Sequence, residues 1–161
     1  MSVERGEGGL AGELKAKLAG RVAIVGVGEP SHGDDGAGPL AARMLSEAGV
    51  DGVIDSGASP ELDTWKIRQL APDTVLFVDA VDFGGAPGDA ALVAPGDLRA
   101  AGFDTHRAPI RLTMQYLESE IGARCYLLAI QPEDARYGAR MSEAVRRSVE
   151  SIARMVAEVL R

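Results

Sequence analysis

Short apolar runs along this chain alternate with stretches in which apolar residues recur every three or four positions. The runs have the length of strands, and the run at 74–80 is apolar without alternation, as in a parallel strand that is covered on both faces. The spaced stretches predict amphipathic helices that pack on the resulting sheet. The predicted strands are residues 21–27, 51–57, 74–80 and 123–130.

The helical stretches have recognisable ends and faces. The helix after the first strand is predicted to end at Gly49, and Ser59 is predicted to cap the next one. Trp65 and Leu70 of that next helix are expected to face the sheet. Two further apolar stripes predict the remaining helices: Ile110, Met114, Leu117 and Ile121, and then Val145, Val149, Ile152, Val156 and Val159.

Strands that alternate with helices at this spacing predict an α/β fold, a three-layer doubly wound sandwich with a mostly parallel central sheet of about five strands and helices on both faces. The run at 90–95 is short and ends in proline, which predicts an edge strand that can run antiparallel. The length of 161 residues suits a single domain, 1–161, with an N-terminal extension (1–20) that contains a short amphipathic helix and a core (21–161). In such a fold the functional site lies at the carboxyl ends of the strands.

Composition narrows the classes of function. The chain has 17 Lys and Arg against 24 Asp and Glu, a net charge of −7 that opposes a phosphate backbone, so we expect no nucleic-acid partner. No apolar run approaches the roughly 18 residues of a membrane span, and the polar start lacks the pattern of a signal peptide. We therefore expect a cytoplasmic protein with no membrane segment. The single cysteine, Cys125, fits a reducing compartment and lies inside a predicted strand, where it suits packing better than nucleophilic catalysis.

The glycine-rich loop after the first strand, 26–38, begins like a phosphate-binding loop but departs from both known patterns. Ser31 takes the place of the third glycine of the dinucleotide pattern, and Asp34 and Asp35 stand where the Walker pattern needs Lys and Ser or Thr. A carboxylate pair repels a phosphate and instead suits a cation or an acid–base role. The alternative is that both aspartates cap the following helix, which explains one of them better than two.

Further candidate side chains are expected at the same edge of the sheet. Asp79 ends the third strand, although an aspartate there can also mark a turn, as Asp82 can. His106 precedes a helix in a loop that is expected to lie over this edge, and His32 in the glycine-rich loop is the competing candidate. Two carboxylates and one imidazole with open coordination positions suit a borderline divalent cation such as zinc or nickel.

Several sequence blocks together carry a family resemblance from Val22 onward: GVGEPSHGDDGAGP, DSGASPE, VDAVDFGGAPG, THRAPI and LLAIQP. The chain resembles the hydrogenase maturation proteases, nickel-dependent endopeptidases that trim the C-terminal tail of the [NiFe] hydrogenase large subunit. It is most similar to the branch that serves membrane-bound, hydrogen-evolving hydrogenases. The resemblance implies that Asp35 and Asp79 are catalytic and bind the metal together with His106. One departure is Glu29, which stands where the family usually has asparagine.

The resemblance also implies a partner and a metal. The partner is the [NiFe] hydrogenase large-subunit precursor, the metal is nickel carried by that substrate, with zinc or cadmium as substitutes in vitro, and the enzyme is a monomer. The metal either polarises the scissile carbonyl or activates water, or it only positions the tail while an aspartate acts as the base. Asp34 is assigned to the helix N-terminus, so Asp34→Asn is expected to change stability little. The alternatives are a non-enzymatic nickel-binding or nickel-checking module and a small-ligand-binding α/β domain.

Overall fold

Within residues 9–98 and 108–161, which the computed structural model describes, five strands form one sheet in the order β2-β1-β3-β5-β4. The strands β1, β2, β3 and β5 run parallel, and β4 pairs with β5 in the antiparallel direction at the edge. The predicted doubly wound α/β sandwich with its antiparallel edge strand is therefore confirmed. The strands are β1 (Val22–Gly26), β2 (Val53–Asp55), β3 (Thr74–Ala80), β4 (Ala90–Val93) and β5 (Arg124–Ile130).

Helices cover both faces of this sheet, because neighbouring residues of each strand point to opposite sides. Ile24 of β1 packs in the cluster with α1, α2 and α5, whereas Val25 packs in the cluster with α3 and α4. The two-sided burial explains why the central strands are apolar without alternation. The helices are α1 (Gly9–Lys17), α2 (Ala37–Glu47), α3 (Thr64–Leu70), α4 (Ala108–Ile121) and α5 (Glu143–Val159).

The order of the strands creates a crevice between β1 and β3. The chain passes from β1 to β2 on one side of β1 and returns to β3 on the other side, so the connections diverge at the carboxyl ends of β1 and β3. Gly26 lies opposite Val78 in the register, which places the loop after β1 next to the end of β3. Gly38 lets α2 approach this point, because a Cβ there would clash with the carbonyl oxygens of Val27 and Val78.

Three details differ from the expectations drawn from the sequence. Trp65 does not face the sheet and is 56% exposed, while Ile67 of the same helix is fully buried. Ser59 occupies the N-cap position of a 3₁₀ helix, Pro60–Asp63, that precedes α3, and its side chain makes no capping hydrogen bond. The N-terminal helix belongs to the core, since Leu10 and Leu14 pack in the cluster with α5.

Among the described residues, no helix is both long and apolar enough to cross a membrane. The apolar stripe of α5 is buried apart from Val159, which is only partly covered.

Candidate active site

A four-residue 3₁₀ helix, Gly33–Gly36, joins β1 to α2 and carries the two adjacent aspartates; we call it the aspartate turn. Asp35 is half-buried, and its Oδ2 accepts a hydrogen bond of 2.9 Å from the backbone N–H of Glu29. The turn packs against β3, where Asp79 is 1% exposed in the penultimate position of the strand. Asp35 and Asp79 therefore lie on contacting elements at the same edge of the sheet.

Asp34 is fully buried and points toward the loop between β5 and α5. Its Oδ2 accepts hydrogen bonds from the backbone N–H groups of Glu133 (2.9 Å) and Asp134 (3.0 Å). Ser142 donates to it twice, from its backbone N–H (2.6 Å) and from its hydroxyl (2.9 Å). Ser142 in turn caps α5, because its hydroxyl accepts from Val145 N–H at 3.4 Å. Asp34 thus fixes the loop between β5 and α5 against the aspartate turn.

The assignment of Asp34 to the N-terminus of the following helix is wrong. Gly36 occupies the N-cap position of α2, where no side chain makes a capping bond. The carboxylate instead meets donors in the loop between β5 and α5. The two oxygens of a carboxylate can accept all four of these hydrogen bonds, whereas capping a helix would use only one acceptor.

Gln131 organises the turn that follows β3, and the sequence analysis did not single it out. Its side chain is buried and accepts from the N–H groups of Phe83 (2.9 Å) and Gly85 (3.1 Å). Its amide nitrogen donates to Asp82 Oδ1 at 3.0 Å. The hydrogen bond from Gly84 N–H, followed by that from Gln131, lowers the pKa of Asp82. In the sequence, Gln131 could have been noticed as a polar residue that directly follows the apolar strand β5.

The other candidates in the loop after β1 have contacts of their own. His32 is half-buried, and its ring meets the ring of Tyr137 edge-on, with centroids 5.5 Å apart. The carboxylate of Glu29 accepts from the hydroxyl of Ser31 at 3.1 Å, so the residue that departs from the family pattern bonds within its own loop. These contacts order the loop that leads to Asp35.

His106 lies outside the described residues, so the third predicted metal ligand stays a prediction. Within 9–98 and 108–161, no group of three or more His, Cys, Asp and Glu side chains is arranged to hold a metal ion. As predicted ligands, Asp35 and Asp79 would supply two oxygen atoms, and such a pair needs a further donor to form a site for a borderline cation such as nickel. An imidazole is a donor of that kind.

Two other features, the Cys125 thiol and a groove along α2, lie apart from this pair of aspartates. Burial inside β5 raises the pKa of Cys125 to about 12, so its thiol stays protonated and unreactive. A groove with a volume of ≈ 730 Å³ lies along α2, on the other side of the aspartate turn, with Leu40 and Met141 in its wall. Neither Asp35 nor Asp79 lines that groove.

Comparisons with known proteins give matches to a single family. The model of the hydrogenase maturation protease (HycI) family matches residues 39–159. The chain is 36% identical to the hydrogenase 3 maturation protease of Escherichia coli (strain K12) over 129 residues, which cover 78% of this chain and 82% of that protein. Its fold is similar to that of the [NiFe] hydrogenase maturation protease HycI from Thermococcus kodakarensis KOD1, with a TM-score of 0.84 and 31% identity over 92% of this chain and 98% of the other. It is also similar to the solution structure of the endopeptidase HycI from Escherichia coli, with a TM-score of 0.76 and 30% identity over 86% and 90% of the two chains. The chain therefore belongs to the hydrogenase maturation protease family, as its sequence blocks predicted.

Proposed function

We propose that this chain is the endopeptidase that removes the C-terminal tail of a [NiFe] hydrogenase large-subunit precursor once nickel has been inserted. The observation that supports this activity best is the placement of Asp35 and Asp79 on contacting elements at the carboxyl edge of a hydrogenase maturation protease fold. Folds of this class bind their ligands at this edge, outside the carboxyl ends of the strands.

We propose that Asp35, Asp79 and His106 bind the nickel that the precursor carries. The hydrogen bond from Glu29 N–H fixes the orientation of the Asp35 carboxylate but uses only part of its acceptor capacity, so the group can still bind a cation. Asp79 is held on a central strand and contributes a second oxygen ligand from a rigid support. Three protein ligands leave coordination positions open for groups of the precursor.

Catalysis at this site has two forms that use the same residues. In one, the nickel of the substrate polarises the scissile carbonyl or activates a water molecule. In the other, the nickel only positions the tail, and Asp35 or Asp79 takes the proton from the attacking water as a general base. In both forms the precursor supplies the metal, so binding of the correct substrate completes the site.

The decisive assay compares one precursor in two states, with and without nickel, at equal enzyme concentration and with no free metal added. Mass spectrometry then follows the loss of the tail. We expect cleavage of the nickel-loaded precursor and almost none of the nickel-free form. Equal rates for the two would overturn the role of the metal. The non-enzymatic alternatives lead to no mass loss with either form.

Calorimetry with nickel tests the assignment of the ligands separately from cleavage. We expect Asp35→Ala to lose nickel affinity. Asp51→Ala is the matched control, because it removes the same charge from an exposed position at the opposite edge of the sheet. Equal affinity of wild type and Asp35→Ala would remove Asp35 from the site.

We also infer that the enzyme works as a monomer in the cytoplasm. The single cysteine suits a reducing compartment, since disulfides form mainly in oxidising ones. Sedimentation velocity measures the oligomeric state, and fractionation of cells that carry the natural gene measures the location.

A further inference from the structure

Four large apolar side chains are exposed on one side of the molecule: Leu62 (71%), Trp65 (56%), Leu112 (58%) and Tyr116 (40%). We call these four residues the apolar patch. Among the other described residues, only Tyr137 is a large apolar side chain with comparable exposure. Exposed apolar side chains are ordinary when scattered, whereas a cluster of them marks an interaction surface.

The four residues of the apolar patch lie on elements that contact one another. The helices α3 and α4 pack against each other, and α4 also contacts the 3₁₀ helix Pro60–Asp63. Arg68 on α3 donates a hydrogen bond of 3.0 Å to the hydroxyl of Tyr116 on α4. A recess with a volume of ≈ 460 Å³ lies between these elements, with Glu61, Leu112 and Tyr116 in its wall. The surface therefore has both an apolar area and a concave part.

The core does not need these side chains. Ile67 anchors α3, and Met114 and Leu117 anchor α4, each with no exposed surface. Trp65 and Leu112 point away from those anchors into solvent. The helices that carry the patch are thus held rigidly from below, and an incoming partner would not have to order them first.

The apolar patch adjoins the candidate active site. The 3₁₀ helix Pro60–Asp63 follows the carboxyl end of β2. The loop between them is tied to the loop after β1 by hydrogen bonds from Ser56 N–H to Gly26 O (2.9 Å) and from Gly28 N–H to Gly57 O (2.8 Å). A substrate protein whose chain end reaches Asp35 would therefore also contact the neighbouring apolar patch.

Charge around the patch distinguishes between possible partners. Lys66 Nζ lies 5.6 Å from the ring centroid of Trp65, and Arg68 contacts Tyr116. Asp63 pairs with Lys66 at 3.4 Å and Glu61 lies in the wall of the recess, so charges of both signs surround the apolar centre, as in the polar rim of a protein interface. A second copy of this chain would bring another net charge of −7, which opposes self-association.

We infer that the apolar patch is the docking surface for the folded body of the large-subunit precursor, which it holds while the tail enters the active site. The inference rests on the proposed function and deepens it. Tryptophan, tyrosine and arginine are the residues that most often dominate binding energy in protein interfaces, and the patch presents Trp65 and Tyr116 with Arg68 bonded to the tyrosine. Docking outside the cleavage site would restrict the protease to one folded substrate.

The test uses the full chain and the nickel-loaded precursor. Trp65→Ser and Leu112→Ser, singly and combined, remove apolar area from exposed positions, and circular dichroism with thermal melting confirms that each variant folds. We expect KM for the precursor to rise at least tenfold in the double variant, with kcat within twofold of wild type. Leu160→Ser, at the end of α5 and at the opposite edge of the sheet, is the control and should leave KM within twofold.

Direct binding of the precursor, measured by biolayer interferometry, separates this inference from the proposed function. Binding that weakens in the double variant supports docking even if no cleavage is seen, in which case the proposed function fails alone. Wild-type cleavage with unchanged KM and unchanged binding in the double variant overturns docking alone. Absence of both binding and cleavage by wild type overturns both. A wild-type dimer that the double variant dissociates would instead make the patch an interface between two copies.

Discussion

Asp34 and Asp35 are adjacent in sequence but lie in opposite environments. Asp34 is fully buried among donors of the loop between β5 and α5, whereas Asp35 is half-buried and accepts from Glu29 N–H. In a 3₁₀ turn, successive side chains point about 120° apart, so neighbouring residues face different parts of the molecule. The two residues therefore have different roles: Asp34 holds the aspartate turn in place, and the carboxylate of Asp35 can still bind a metal or accept a proton.

These different roles predict a difference in stability. Asp34→Asn is expected to lower the free energy of unfolding by about 3 kcal/mol, because an amide has one acceptor oxygen where two carboxylate oxygens now accept bonds. Asp35→Asn is the control and should lose less than about 1 kcal/mol, since its amide oxygen can still accept from Glu29 N–H. Denaturation in urea measures both. Equal losses would contradict these different roles.

A second prediction at this scale concerns pH. Burial, followed by the charge of Glu118, raises the pKa of Cys125 to about 12 in the native state, while the unfolded thiol ionises near pH 8.5. The contribution of the buried Cys125 thiol to the stability of the native state is fully present below the pKa of the unfolded thiol. It is lost as pH rises toward the pKa of the native thiol, because in that range only the unfolded chain releases the proton. The stability advantage of wild type over Cys125→Ala should shrink by about 2 kcal/mol between pH 8 and 10.5. An advantage that is constant across this range would refute the shift.

At the scale of elements, the close approach of α2 to the sheet positions the aspartate turn. The turn ends where α2 begins, and Gly38 of α2 lies against the backbone at the ends of β1 and β3. A longer side chain there would push the start of α2, and with it Asp35, away from β3. Packing of a single glycine thus sets the separation between the two catalytic candidates.

Gly38→Ala is therefore expected to destabilise the protein by about 3 kcal/mol and to reduce cleavage of the precursor. Gly96→Ala is the control, because a Cβ at Gly96 meets nothing within 4 Å and its backbone is not in the left-handed region. It should change stability by less than about 0.5 kcal/mol. Chemical denaturation measures both variants. A Gly38→Ala protein as stable as wild type would show that α2 can move without cost.

At the scale of the whole molecule, apolar packing and hydrogen bonds between protein groups hold the described part of the fold together. Separate apolar clusters fill the two faces of the sheet, and hydrogen bonds from protein groups hold the aspartate turn. Nickel is needed for recognition of the substrate in our proposal but not for folding.

The melting temperature of the purified chain should therefore fall by less than about 2 °C when EDTA is added. Nickel in millimolar excess should raise it in wild type and not in Asp35→Ala, because only a ligand that binds the native state stabilises it. A large fall with EDTA would show that a resident metal supports the fold.

The sequence by itself determined the layers of this molecule. Strand-length apolar runs and helical stripes depend on neighbours within a few positions, so the α/β class, the strand β3 at 74–80 and the edge strand β4 could be predicted locally. The same holds for the place of Asp79 near the end of β3, and the sequence blocks identified the family.

Only the tertiary structure decided which partners the polar groups meet. Asp34 bonds to residues 99 to 108 positions later in the chain, and Gln131 orders a turn 46 to 49 positions earlier. The pattern around Trp65 predicted a buried face, but α3 buries Ile67 instead and leaves the ring of Trp65 in solvent. The spacing of apolar residues along a helix or strand indicates that one face is buried. It does not indicate which distant element covers that face, because this depends on how all the elements pack together.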